Sequence, residues 1–115
     1  MDKVEKYQNL IINFLEQQVA PYQKVAQGEV QEQVIIDTQH HYIQWLTIGW
    51  DEKEEFKNYI NVYFVIKADG KIWLMENNTD IRIAEELVKL GVPRHDIVLG
   101  FQPLSLRPQT KYAIA

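Results

Sequence analysis

The chain has 115 residues, a formal net charge of −4 and a hydrophobic fraction of 46%. That size gives room for one hydrophobic core, and the composition is typical of a folded globular protein rather than a disordered one. The sequence contains no cysteine, which excludes disulfides, thiolate metal sites and cysteine nucleophiles. We therefore expect a single domain spanning residues 1–115.

The first segment, from Asp2 to about Ala20, has the pattern of an amphipathic helix. Its apolar residues recur at three- and four-residue steps and form one stripe: Val4, Tyr7, Ile11, Phe14, Leu15 and Val19. We expect Pro21 to end the helix, because a proline disfavours the helical conformation of the residue before it.

The segment from Gln31 to Asn77 predicts four β-strands. Two runs rich in β-branched and aromatic residues flank the polar stretch TQHH, which is a plausible hairpin connection. Two further strands flank Asp69-Gly70, a dipeptide that favours tight hairpin turns because both residues tolerate a positive φ. A four-stranded antiparallel meander is the simplest interpretation.

A second helix is predicted within IRIAEELVKL, capped by Thr79 or Asp80. Gly91 supplies a left-handed stop, and Pro93 follows two residues later. A single turn, RHD, then precedes the short apolar strand IVLGF, where Gly100 permits a bend or a close backbone approach. The predicted fold is α+β, with both helices on one face of the meander and an extended C-terminal tail.

The second face of this sheet is too apolar for a surface in contact with water. In the third strand the residues Ile60, Val62, Phe64 and Ile66 share one side, yet the opposite side carries Tyr59, Tyr63 and Val65. A sheet with one solvated face alternates cleanly between apolar and polar residues. We expect the tail, a second copy of the chain or another protein to cover this face; a merely aromatic surface is the alternative.

Few residues offer catalytic or metal-binding chemistry. His40 and His41 lie together with Asp37 nearby, but adjacent strand residues point to opposite faces, which is poor chelating geometry. The neighbouring carboxylates Glu85 and Glu86 diverge by about 100° on a helix and cannot form a catalytic pair. We therefore expect no enzymatic activity, metal or cofactor, and keep a metal-dependent hydrolase using His40, His41 and Asp37 as an alternative.

Residues 1–57 hold five basic and ten acidic side chains, and residues 58–115 hold seven basic and six acidic ones. The chain has no basic stripe of the kind that neutralises DNA phosphates. A small patch around Arg94, Arg107 and Lys111 leaves direct DNA binding open as an alternative function.

The first ten residues do not resemble a secretory signal, and no run approaches the ~20 apolar residues of a membrane span. We expect a cytoplasmic protein without membrane contact.

Four stretches together resemble a known family. They are MDKVEKYQNLI, IIDTQHHYIQWLTIGW, DGKIWLMENNTDIRIAEELVKLGVPRHDIVLGFQP and TKYAIA, which cover most of the chain. On these residues the sequence is similar to the cyanobacterial fdxN element excision controlling factors, the XisI proteins. Members often carry a histidine or another residue and then a double proline after Gly-Phe, where this chain has Gln102, Pro103 and Leu104. A role assigned to that histidine does not transfer.

The resemblance implies a non-enzymatic accessory factor that acts with a nuclease-like companion, XisH, while a separate site-specific recombinase excises the DNA element. We expect it to act through these protein partners and to form a homodimer, because an aromatic sheet face and a free sheet edge favour pairing. The predicted interaction residues are Trp45, Tyr59, Tyr63, Trp73, Phe101, Arg107, Tyr112 and Ile114. Tyr112 and Ile114 are expected to reach an apolar surface on a partner or second copy, so deleting residues 111–115 is expected to weaken assembly rather than folding.

Overall fold

A computed structural model describes residues 2–24 and 28–115 of the chain. It confirms an α+β fold of two helices and one five-stranded sheet. The elements in chain order are α1 (Lys3–Lys24), β1 (Gln31–Asp37), β2 (Tyr42–Trp50), β3 (Phe56–Ile66), β4 (Ile72–Asn77), α2 (Ile83–Lys89) and β5 (Ile97–Leu99), with 3-10 turns at Arg94–Asp96 and Arg107–Gln109.

The sheet has the strand order β1-β2-β3-β4-β5. Its first four strands form the predicted antiparallel meander. The predicted short strand after the second helix is present as β5, but the prediction of a four-stranded antiparallel sheet was wrong, because β5 adds to the edge of β4 in the parallel direction, pairing Ile72 with Ile97 and Leu74 with Leu99. The helix α2 lies between β4 and β5 in the chain and returns the chain to the end of the sheet where β4 begins. Such a crossover helix is the usual connection between parallel neighbouring strands.

The first helix is longer than predicted. It continues through Pro21 to Lys24, so the expected end near Ala20 was wrong. Proline removes one helical hydrogen bond, but the last turn is held by packing, because the ring of Tyr22 lies 5.5 Å from that of Trp45. The packing of Tyr22 on Trp45 therefore outweighs the tendency of Pro21 to end the helix.

The second helix begins later than predicted and lacks the expected cap. Arg82 occupies the N-cap position, and no side chain there caps the helix. The Thr79 hydroxyl accepts a hydrogen bond from the Ile81 N–H at 3.1 Å, so it stabilises the preceding turn instead. The predicted stop at Gly91 is confirmed, since this residue has a φ of 107° and follows Leu90, the C-cap residue of the helix.

Both helices pack on the same face of the sheet and form one core with it, as predicted. The stripe of α1 is buried as expected, and α2 contributes Ile83, Ala84 and Leu87. The sheet residues in this core are Ile43, Trp45, Val62, Phe64, Ile66, Ile72, Leu74 and Ile97.

A bulge in β3 changes which residues face this core. Trp45 pairs with Val62, whereas the next residue, Leu46, pairs with Ile60, so Asn61 is an extra residue in β3. Beyond it the alternation is reversed. The prediction that Ile60 shares a side with Val62 was therefore wrong, because Ile60 faces away from the helices and Tyr59 faces them.

Candidate interaction surface

The sheet face opposite the two helices carries many apolar side chains; we call it the open face. Directly paired residues of antiparallel strands share a face, so the pairs Leu46–Ile60 and Val65–Trp73 place all four side chains here. The apolar residues of the open face are Ile35, Tyr42, Leu46, Ile48, Trp50, Phe56, Ile60, Tyr63, Val65 and Trp73. The apolar second face predicted from the sequence is therefore present, with a composition changed by the bulge.

Aromatic contacts organise the open face. The rings of Tyr42 and Tyr63 meet edge to face at 6.4 Å, and His40 stacks on Tyr42 at 5.4 Å. At the far end of the same hairpin Trp50 and Phe56 lie 5.1 Å apart, and each is about half exposed. Burial, with a smaller effect of Tyr42, raises the pKa of Tyr63. These rings offer a preformed surface with large contact area per side chain.

The C-terminal tail covers the β5 edge of this sheet. The Ala113 N–H donates a 2.8 Å hydrogen bond to the Ile97 carbonyl, and Ala113 forms a parallel bridge with Val98. Tyr112 packs against the core of its own chain, and burial, followed by the charge of Glu85, raises its pKa. The tail therefore closes one edge of the sheet, whereas the β1 edge carries no further strand among the described residues.

A close backbone approach at Gly100 brings the start of the tail against β4. A Cβ atom at this position would lie 2.6 Å from the Met75 sulfur, 3.1 Å from the Trp73 ring and 3.3 Å from the Leu74 carbonyl oxygen, so a larger residue would require these neighbours to move. The prediction that Gly100 permits a close approach is confirmed. It lets the chain turn directly after β5 toward Phe101, which is 48% exposed.

Two cations lie over Trp73 where the tail meets the open face. The Arg107 Cζ atom lies 5.0 Å from the centroid of the ring and the Lys67 Nζ atom 5.1 Å. Arg107 also donates from Nε to the Gln102 carbonyl at 3.0 Å. Its guanidinium is thus held within the chain by a cation–π contact and a hydrogen bond, while Arg94 and Lys111 are exposed.

The structure separates the eight predicted interaction residues into three places. Tyr63 and Trp73 lie on the open face. Trp45 and Tyr59 lie on the helix side, where Trp45 is buried. The remaining residues belong to the tail region: Phe101, Arg107, Tyr112 and Ile114.

Sequence reasoning omitted Trp50 and Phe56 from this set, although they form the aromatic end of the open face. The signal that would have found them is their position in the sequence. They flank the short charged turn DEKEE, and residues on either side of a hairpin turn lie opposite each other on one face of the sheet.

The histidines do not converge on a common ligand position. His40 Nδ1 lies 2.7 Å from Asp37 Oδ2, and this hydrogen bond is the first cause of the lowered pKa of the exposed Asp37 carboxyl. His41 turns toward α1, with its Nδ1 2.7 Å from the side-chain oxygen of Gln8. Within residues 2–24 and 28–115, no three histidine or carboxylate side chains are arranged to hold a metal ion.

Comparison with known proteins decides the family. The model of the family described as XisI protein matches residues 1–114. The chain belongs to the XisI family. A solved XisI-like protein from Anabaena variabilis is 41% identical, with a TM-score of 0.88 over 97% of this chain and 99% of that chain. The solved fdxN element excision controlling factor XisI of the same organism is 34% identical, with a TM-score of 0.81 over 99% and 100% of the two chains.

The XisI resemblance drawn from the sequence motifs is thus confirmed along the whole chain. No curated protein matches it. Among the helices that the structure describes, none is both long and apolar enough to cross a membrane.

Proposed function

We propose that this XisI family member is an accessory factor that controls the excision of a DNA element and acts through protein partners rather than by catalysis. The observation that carries the proposal is the family match over residues 1–114, together with a 34% identical relative whose name is fdxN element excision controlling factor. A controlling factor regulates a reaction that another protein performs, here a site-specific recombinase.

The disposition of the ionisable side chains supports a non-catalytic role. Among the described residues, Asp96 is the one buried carboxylate with a lowered pKa, and both of its oxygens are bonded within the chain, to Tyr7 and Lys3. The exposed pair of Asp37 and His40 lies in a surface turn rather than in a cleft. Catalytic acids and bases are usually set in concave sites where their pKa values are perturbed.

The open face supports protein contact over direct DNA contact. Its surface is aromatic and aliphatic, whereas a DNA-binding surface neutralises phosphates with several cations. Arg107, the central residue of the predicted basic patch, is already engaged with Trp73 and Gln102. We propose an XisH-like protein as the companion, with the recombinase as a further partner.

A second copy of the chain is the occupant we propose for the open face. One end of the long β2–β3 hairpin carries the turn from Asp51 to Glu55, with four carboxylates and one lysine. The opposite end of β3 carries Lys67 and the neighbouring Lys71, with Asp69 between them and Arg107 close by. A twofold axis that lies in the interface and runs perpendicular to the strands would set each acidic end against the basic end of the other copy.

Reconstituted excision tests the proposed role. A plasmid carries the element, its recombinase and the XisH-like companion from the same genome, and the excised circle is detected by amplification across the new junction. We expect excision only when the XisI family chain is also expressed. Excision at the same level without the chain would overturn the proposed function.

Two variants show whether the open face is needed. Ile60→Asp places a charge at the centre of the open face, and Leu90→Asp is the matched control at the end of α2, where the leucine is 52% exposed. We expect excision to fall with Ile60→Asp and to persist with Leu90→Asp. Unchanged excision with Ile60→Asp would exclude the open face from the activity.

A further inference from the structure

A cavity on the helix side of the sheet combines carboxylates with aromatic walls. It has a volume of about 270 Å³ and lies between the end of α1, the strands β1 to β3 and the loop that precedes α2. We call it the Glu32 cavity. The lining residues that matter here are Tyr22, Glu32, Trp45, Tyr59, Asn61 and Asp80.

Glu32 is held in a fixed position by a polar network beneath this cavity. Its Oε1 atom accepts hydrogen bonds from the Thr47 hydroxyl at 2.8 Å and from the Trp45 indole N–H at 3.2 Å. Thr47 in turn accepts from the Asn61 amide at 2.7 Å. Thr47 and Trp45 are 4% and 2% exposed, so the carboxylate is anchored to buried partners.

The second oxygen of this carboxylate has no partner. Glu32 Oε2 has no exposed surface and makes no hydrogen bond with any residue that the structure describes. Buried polar atoms are nearly always paired, and an unpaired carboxylate oxygen is costly because it has lost its water without gaining a donor. Because Glu32 also lines the cavity, a group bound there is a candidate donor to this oxygen.

The chemistry of the cavity wall selects the class of ligand. Asp80 adds a second carboxylate at the exposed side, and neither lysine nor arginine occurs among the described residues that line the cavity. Tyr22 and Tyr59 line the cavity and are each about half exposed, and the faces of aromatic rings attract cations. A planar guanidinium matches the two carboxylates, the unpaired oxygen and the aromatic walls. It carries positive charge, several N–H donors and a flat surface that stacks on aromatic rings.

We propose that the Glu32 cavity binds a guanidinium group, which donates to Glu32 Oε2 and stacks against Tyr22 or Tyr59. Because Oε2 is covered, binding requires a side-chain rotation at the cavity wall, where the half-exposed Tyr22 is the neighbour packed on Trp45. The group belongs either to a small free molecule or to an arginine side chain of a protein. The assignment does not depend on the role in excision.

The indole signals of the three tryptophans provide the direct test. Methylguanidinium is titrated into the ¹⁵N-labelled full chain, with N-methylurea as the uncharged probe of similar shape and an acetylated, amidated Gly-Arg-Gly peptide as the protein-like probe. We expect methylguanidinium to shift the Trp45 indole signal, which reports the bond to Glu32, and to leave Trp50 and Trp73 unmoved. Equal shifts with N-methylurea, or no Trp45 shift with any probe, would overturn the proposal. Tighter binding of the peptide identifies a protein arginine as the source, and tighter binding of methylguanidinium identifies a small molecule.

Glu32→Gln separates a binding role from a structural one. The glutamine oxygen can still accept from Thr47, while the negative charge is lost and the unpaired carboxylate oxygen is replaced by an amide NH₂, which cannot accept a hydrogen bond from a guanidinium. We expect affinity for the preferred probe to fall by about tenfold or more, as for the loss of a charge-assisted contact, with no decrease in Tm. Glu5→Gln, at an exposed position in the first turn of α1, is the matched control and is expected to leave both the affinity and the Tm close to those of the unmodified chain.

A second variant keeps the test decisive if Glu32→Gln lowers the Tm. Tyr59→Leu removes one aromatic wall at a half-exposed position. We expect it to weaken probe binding severalfold while the Tm stays close to that of the unmodified chain. Unchanged affinity in Tyr59→Leu, or in a folded Glu32→Gln variant, would contradict the proposal.

Discussion

The hydroxyl of Tyr7 donates a 2.5 Å hydrogen bond to Oδ2 of Asp96, which joins residues 89 positions apart in the chain. Lys3 occupies the other oxygen, with its Nζ atom 2.9 Å from Oδ1. The contact ties the first turns of α1 to the turn that leads into β5. Burial alone would raise the pKa of the Asp96 carboxyl, but the hydrogen bonds from Tyr7 and Lys3 outweigh burial and lower it.

Removing the Tyr7 hydroxyl is expected to destabilise the domain. Tyr7→Phe keeps the buried ring and leaves Asp96 Oδ2 without its donor, so the free energy of unfolding should fall by about 1.5–3 kcal/mol. Urea denaturation followed by tryptophan fluorescence measures the change. Tyr22→Phe on the same helix, where the ring is half exposed, is the control and should change stability by less than about 0.5 kcal/mol. Equal effects of the two substitutions would show that the bond to Asp96 contributes nothing specific.

The same pair predicts how stability depends on pH. Burial, then the hydrogen bond to Asp96 and its charge, raises the pKa of Tyr7 from 10.0 to about 12, so the stability that this group contributes is present below pH 10 and lost between pH 10 and 12. Asp96 has a lowered pKa, so its contribution is present above about pH 4 and lost as the pH falls further.

The advantage of the unmodified chain over Tyr7→Phe should therefore be greatest between about pH 4 and 10 and should shrink on both sides. Denaturation of both proteins across a pH series measures this difference, in which the other tyrosines cancel. A difference that stays constant up to pH 12 would contradict the assignment to Tyr7.

Replacing Tyr112 and Ile114 of the tail by alanine is expected to have different effects on the stability of the domain. Tyr112 packs against the core, whereas Ile114 is 48% exposed. Tyr112→Ala should lower the free energy of unfolding by about 1–2 kcal/mol, part of the cost of truncating a fully buried aromatic residue. Ile114→Ala is the control and should stay within about 0.5 kcal/mol. Equal stability of both variants would support the earlier expectation that the tail serves assembly alone.

Self-association through the open face is expected in solution. Light scattering after size-exclusion chromatography at micromolar concentration should give a dimer for the unmodified chain and for Leu90→Asp, and a monomer for Ile60→Asp. Because the proposed contact sets acidic against basic ends, added salt should weaken the dimer. A monomer at every concentration would exclude the second copy as the occupant of the open face.

Much of this fold follows from local patterns in the sequence. The apolar stripe of α1, the four strands of the meander and Gly91 after α2 are all recognisable, because periodicity and glycine placement are local properties. The turn at Asp69-Gly70 is also present, although only Gly70 has a positive φ, of 88°.

The errors arise where distant parts of the chain decide the outcome. The bulge at Asn61 depends on the register between β2 and β3, and it exchanges the faces of Tyr59 and Ile60. The direction of β5 depends on how α2 crosses the sheet. The special position of Glu32 is also invisible in the sequence, since its unpaired oxygen results from the packing of Trp45 and Thr47 around it.

Action through a protein partner is tested most directly by co-expressing the chain with the XisH-like protein of the same genome. The tag is placed on the companion alone, and the lysate is treated with nuclease so that DNA cannot bridge the two. We predict that the chain co-elutes with the tagged companion, and that the purified chain alone does not bind duplex DNA tightly at physiological salt. Failure to co-elute, together with tight DNA binding by the chain alone that weakens steeply with salt, would contradict partner-mediated action and establish the chain as a DNA-binding protein.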